Sequence, residues 1–224
     1  MSKTPLAETI AEDAIKPLLR GISHFYGFLI SLPLGVLLVA TAPNGLATWT
    51  ALVYAIAISA MLGASTLLHR GTWTAAQDRA LTKLDHSCIY LLIAGTYTPV
   101  SLIALSGVTR VLVFSLVWLG ALVGITLEWA WARPPRGWVT ANYIAVGWVA
   151  LIALPQLWTS LGVAGFVLIL LGGVSYTIGA VIHAARWPDP WPSTFGYHEI
   201  FHVFVLVAVL LQLAAVAFVV LPKG

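Results

Sequence analysis

The chain has 224 residues, of which 60% are hydrophobic and only 8% charged, against roughly 25% charged in an ordinary soluble domain. A water-soluble fold of this size would lack the polar surface to cover its core, so the bilayer is its natural solvent. The formal charge of +3 is no sign of a nucleic-acid partner, because Lys and Arg in such a chain set orientation, and the single Cys88 excludes an intrachain disulfide or a multi-cysteine metal site.

Residues 1–21 read as a cytoplasmic N-terminal segment with a weakly amphipathic surface helix over 4–19. A basic leader before an apolar run ending in Ala40-Thr41-Ala42 resembles a cleavable signal. Glu8, Glu12 and Asp13 in that leader argue instead for a retained first helix. Residues 22–224 then read as one all-α domain, a polytopic seven-transmembrane helix bundle. Its spans are expected at 22–42, 47–69, 83–105, 110–132, 138–155, 161–183 and 197–221, each near the ~20 residues that a ~30 Å hydrocarbon core requires. Turn chemistry separates them: Pro43-Asn44-Gly45, Ser106-Gly107, Pro134-Pro135 with Gly137, and Pro188-Asp189-Pro190. Pro33 and Pro99 lie inside spans and predict kinks. Trp49, Trp138, Trp158, Trp187 and Trp191 lie near span ends, as headgroup-level anchors do.

Counting basic residues in alternate loops orients the chain. With the N-terminus inside, Lys3, Lys16, Arg20, Arg70, Arg79, Lys83, Arg133, Arg136 and Arg186 fall on the inner side, and only Arg110 and Lys223 on the outer. That bias predicts a cytoplasmic N-terminus and an external C-terminus, and it agrees with an odd number of spans.

On this map all six histidines, His24, His69, His86, His183, His198 and His202, fall in the cytoplasmic third, with Asp85, Glu128 and Glu199 at the same level. Ionisable groups at membrane depth are costly and face the bundle interior, where they pair or bind something. His198 and His202 are one helical turn apart and share a face; Ser65 and His69 have the same spacing. Three imidazoles with an open fourth position are the pattern of a catalytic zinc site, and the lack of a cysteine cluster or dense carboxylates favours zinc over other metals. Spacing alone leaves open which histidines bind. His24, His86 and His183 read as partners of ligands or as helix-end residues, Glu199 as ion-paired with a nearby Arg, and Glu128 as paired with Arg133 or Arg136.

Three blocks, Ser65-Thr66-Leu67-Leu68-His69, Asp85-His86-Ser87 through Ile93-Ala94-Gly95-Thr96-Tyr97-Thr98-Pro99, and His198-Glu199-Ile200-Phe201-His202, resemble those of the hemolysin III family, within the wider progestin and adipoQ receptor (PAQR) superfamily. Their order and spacing extend the resemblance over nearly the whole chain. It implies a seven-helix bundle with an inward N-terminus, in a bacterial inner membrane, with zinc near the cytoplasmic face. The ligands would be His69, His198 and His202, accompanied by Asp85 and Ser65. The chain departs from the pattern at Arg20, where members often carry Asn four residues before the first-helix histidine, while Ser23-His24 are retained.

The expected function is that of a zinc-dependent hydrolase of membrane lipid amides or esters, a reading to which the family's relation to ceramidases adds. Zinc would activate water, Asp85 would act as general base and acid, and Ser65 would orient the water or help stabilise the oxyanion. The alternatives are a non-enzymatic lipid sensor or receptor with a structural zinc, and a cytolytic pore. The pore ranks low, because the outer half offers only scattered polar groups such as Asn44, Gln156 and Gln212, and a proton-coupled transporter ranks lower still, since no ionisable relay reaches the outer face.

Overall fold

A computed structural model describes residues 16–131 and 137–224, which form helices and no strand. In chain order these are α1 (Ile22–Ala40), α2 (Gly45–Arg70), α3 (Ala75–Pro99), α4 (Gly107–Ala130), α5 (Trp138–Gly147), α6 (Leu154–Ala185) and α7 (Tyr197–Ala215). A π-helical turn, Val100–Ala104, extends α3, and a 3-10 stretch, Trp148–Ala153, joins α5 to α6; α7 continues through Val216–Val220 to Leu221–Lys223. Among the described residues six helical stretches are long and apolar enough to cross a membrane. The fifth, Trp138–Ala185, runs for 48 residues and is interrupted at Gly162, whose φ of 66° lies where only glycine is unstrained.

Local chemistry sets the starts of the helices. Asn44 caps α2 by accepting the Ala47 N–H at 3.0 Å. Thr74 and Gln77 form a reciprocal capping box that starts α3 at Ala75, ahead of the boundary expected at 83. The first two turns of α3 carry Gln77, Asp78 and Arg79, so an apolar run does not register them. At the other end of α3, Pro99 removes one ladder N–H, and the π-helical turn follows directly.

α1 packs on α2, α2 on α3 and α6 on α7, while α1 also meets α7 and so draws the first and last helices together. α3 is the most enclosed, and Gly95 admits α2 so closely that a Cβ there would lie 2.4 Å from that of Ala57. The outward faces carry bare aliphatic and aromatic side chains, among them Val36, Val108 and Phe218 at 71, 82 and 81% exposure. An apolar exterior of this kind belongs in lipid: this is an integral membrane protein.

The contacts define two ends. At one, the N–H groups of Leu18 and Leu19 donate to the carbonyls of Ser193 and Thr194, both at 3.1 Å, and the Lys16 ammonium reaches the Gly71 carbonyl. At the other, the Gln156 amide donates to Ser106 Oγ at 2.8 Å, and the last residue, Gly224, lies beside Ala47 and Ile103. The helix expected over 4–19 falls mainly on residues outside those described, as do Arg133, Pro134, Pro135 and Arg136. Of its last residues, Lys16 and Pro17 are non-helical and Leu18–Arg20 belong to a turn.

Candidate metal centre

Two helices bring the histidines together. His69 lies in the last turn of α2, one turn after Ser65, and His198 and His202 occupy the first two turns of α7. The start of α7 is held by carboxylates. Glu199 Oε2 accepts the Gly196 N–H at 2.8 Å, and Asp189 accepts the Tyr197 N–H at 3.0 Å, an arrangement that also suits the positive end of the helix dipole. The other Glu199 oxygen pairs with Arg20, whose turn precedes α1. Gly21 in that turn has a φ of 76°, and a Cβ on it would lie 2.6 Å from the Cβ of His69. Backbone conformation and close approach both require glycine there.

One potential ligand nitrogen from each of His69, His198 and His202 lies within 4.8 Å of the others. The closest pair, the Nε2 atoms of His69 and His198, are 3.2 Å apart. Two neutral rings of opposite tautomer would also reach that distance. Two nitrogens on one tetrahedral zinc ion at ~2.0–2.1 Å would stand roughly 3.3 Å apart, so the observed separation suits a shared ion. Nδ1 of His202 is enclosed without a protein partner, and an orphaned ring nitrogen beside two further imidazoles is a donor set that fits zinc.

The surroundings fix the rings. His24, in α1, is stacked on His202 with centroids 3.8 Å apart and planes 8° from parallel. Its Nδ1 lies 2.8 Å from Ser65 Oγ, and its Nε2 has no protein partner. His183 packs edge-on against His198 at 5.0 Å. From this polar end a cavity of about 150 Å³ extends into the bundle; His24, Ser65, Asp85 and His202 line its polar end, and its walls beyond are largely apolar, from Ile89 and Leu92 to Leu157 and Phe166.

A family model described as "Haemolysin-III related" matches residues 13–213. The Hemolysin-3 homolog of Bacillus subtilis is 35% identical over 190 residues, covering 84% of this chain and 86% of that protein. Hemolysin-3 of Bacillus cereus is 34% identical over 208 residues, covering 92% of each. The chain belongs to the hemolysin III family.

In this hemolysin III protein the five residues singled out from sequence divide into two groups. His69, His198 and His202 form the imidazole cluster, while Ser65 and Asp85 stand beside it on the cavity. Glu199 takes the ion pair expected of it, with Arg20 as the partner. Glu128 meets His86, with Oε1 2.9 Å from Nδ1; its expected partners lie outside the described residues. His86 therefore meets α4. Tyr97 lines the cavity and also ties α3 to the α5–α6 junction, donating to the Gly147 carbonyl at 2.6 Å and accepting the Ala150 N–H.

Sequence reasoning assigned no distinct task to His24 or Gln212, both of which line the cavity. The retained Ser23-His24 pair was a usable signal for the first. For the second, a lone Gln within an aliphatic helix was the only signal.

Proposed function

We propose that this protein is a zinc-dependent hydrolase of membrane lipid amides or esters, acting from the cytoplasmic side of a seven-span bundle. The observation that carries the reading is the convergence of His69, His198 and His202 at the polar end of an apolar cavity that Ser65 and Asp85 also line. Length supports the count of seven spans. Trp138–Ala185 has 48 residues, and at 1.5 Å per residue it would reach roughly 70 Å, over twice the ~30 Å core. Two crossings that turn near Gly162 account for it. The N-terminal turn and the chain's last residue also lie at opposite ends, as an odd number requires. The excess of Lys and Arg on the histidine side supports the orientation, with the N-terminus in the cytoplasm and the C-terminus outside.

A zinc ion held by the three histidines would supply Lewis-acid chemistry, acidifying water and polarising a carbonyl. The chain's own groups do the rest. Asp85 takes the proton from the attacking water and returns it to the leaving amine or alcohol. His24 has one partner and one orphaned nitrogen. Orphaned donors are rarer than orphaned acceptors, so its proton belongs on Nδ1, donating to Ser65 Oγ. Ser65 then keeps its own hydroxyl proton for the oxygen of the scissile carbonyl. The apolar walls take the acyl chain. Leu151 and Leu170 line the cavity and remain exposed on the outer surface, between the α5–α6 junction and α6, where a chain can enter from lipid.

Elemental analysis of detergent-purified protein is the first test. Near one zinc per chain is expected, lost in His69→Ala and in His198→Ala/His202→Ala. No stoichiometric metal after gentle purification and zinc reconstitution would sink the mechanism. Asp85→Asn is then expected to keep its zinc and lose about a hundredfold or more in turnover of lipid amides.

A second reading, a non-enzymatic lipid sensor with a structural zinc, draws on the His69–His198 contact, which joins α2 to α7. Under it, stripping the metal lowers the melting temperature while no lipid amide or ester is ever turned over. The names of the two Bacillus relatives suggest a third, membrane lysis. Conductance in liposomes that disappears in His198→Ala would favour it over both.

A further inference from the structure

Polar atoms in the cavity wall beyond the histidines have no task in the chemistry above. Gln212 in α7 is 6% exposed and fits against α6 only because residue 172 is glycine; a Cβ there would lie 2.6 Å from the Gln212 Nε2. That nitrogen donates to the Ile169 carbonyl at 3.1 Å. The bond fixes the amide, since the reversed side chain would set two oxygens against each other. Oε1 is left enclosed, without a protein partner, in the cavity wall. Tyr176 lies one turn beyond Gly172 on α6, hence on the same face. It lines the same cavity, and its hydroxyl is likewise enclosed and unpartnered.

An amide acceptor facing hydrocarbon is costly unless something donates to it. Gln212 follows His202 by ten residues, about 15 Å along the helix axis, and Tyr176 precedes His183 by seven, about 10 Å. The polar wall therefore sits well inside the cavity, at mid-chain depth for a lipid whose head lies at Ser65 and Asp85.

We propose that Gln212 and Tyr176 form a second polar subsite, one that recognises a hydroxyl group in the middle of a long lipid chain. Gln212 Oε1 accepts the hydroxyl proton, and the Tyr176 hydroxyl donates to the lipid oxygen. The favoured ligands are mid-chain hydroxylated lipids. The inference rests on the reading of the cavity as a lipid site, and it does not depend on whether lipid is hydrolysed.

Stearate and a mid-chain hydroxystearate, titrated by tryptophan fluorescence into the full-length protein in nanodiscs, provide the test; Trp148 in the cavity wall is the reporter. The wild type is expected to bind the hydroxylated acid about tenfold more tightly. Gln212→Met and Tyr176→Phe should each bring that ratio towards one. Tyr176→Phe removes a single oxygen, so it carries the test if Gln212→Met does not fold. Equal affinities in the wild type, or a ratio that survives either folded variant, would overturn the subsite alone. If neither acid binds the wild type, the lipid reading of the cavity falls and takes this subsite with it. Zinc content, measured in parallel, separates either outcome from failure of the metal centre.

Discussion

Where α1, the turn before it, α2 and α7 meet, polar side chains answer one another between elements: Arg20 pairs with Glu199, His24 with Ser65, and His69 with His198. Deeper in the bundle the buried hydroxyls mostly turn back on their own helices. Thr50 donates to the Ala47 carbonyl, Thr96 to Leu92 and Thr98 to Ala94, while close approach of small residues such as Gly95 and Ala57 draws helices together. The first region gets its precision from interdependent charges and rings, so losing one group exposes another. In the second these three hydroxyls are satisfied within their own helices, and the contact between helices relies on shape. A cluster that gathers three ring nitrogens needs the first kind of construction; a helix contact that only has to exclude water can use the second.

The largest effect should come from the charged lock. Arg20→Ala leaves the Glu199 carboxylate, at 3% side-chain exposure, without its cation, and breaking a buried pair from one side costs about 3 kcal/mol. Thermal unfolding in detergent should register that loss, and zinc content should fall as the first turn of α7 loosens. Arg20→Met/Glu199→Gln, which removes both charges, should recover most of the stability. A full loss in the double variant would mean that the guanidinium packs rather than neutralises.

The shape-based region should be hit less hard. Gly95→Ala places a methyl group 2.4 Å from the Ala57 Cβ, and such overpacking costs about 1–3 kcal/mol. Gly95→Ala/Ala57→Gly restores the total volume, so its stability should exceed that of Gly95→Ala alone. If both variants melt together, the contact is not what sets the α2–α3 distance.

These contrasts bear on what could be read from the sequence. The apolar runs, the common depth of the histidines and the H-x-x-x-H pair were legible because each is a local pattern. The start of α3 was harder to see, since its first turns are polar, although Thr74 and Gln77 carried a capping signature. The Arg20–Glu199 partnership joins residues 179 positions apart; the need for a cation was readable, but its source was not. His24 illustrates the same limit. Its depth was plain, yet its stacking on His202 depends on how α1 leans against α7. The orphaned Gln212 oxygen depends on Gly172 in another helix, a coincidence no spacing rule contains.

The smallest effect sharpens the comparison most. Thr50 is fully buried, and its hydroxyl donates at 3.1 Å to the Ala47 carbonyl of its own helix. Thr50→Val removes that hydroxyl and keeps the shape. Because the bond is local and no distant group depends on it, the variant should melt within about 0.5 kcal/mol of the wild type. Ser65→Ala, which strips an equally buried hydroxyl from the same helix, leaves His24 Nδ1 unpaired and should cost about 1–3 kcal/mol. Two hydroxyls on one helix would then differ only in who depends on them. Equal losses would mean that burial alone sets the cost, and the distinction between the two regions would have to be abandoned.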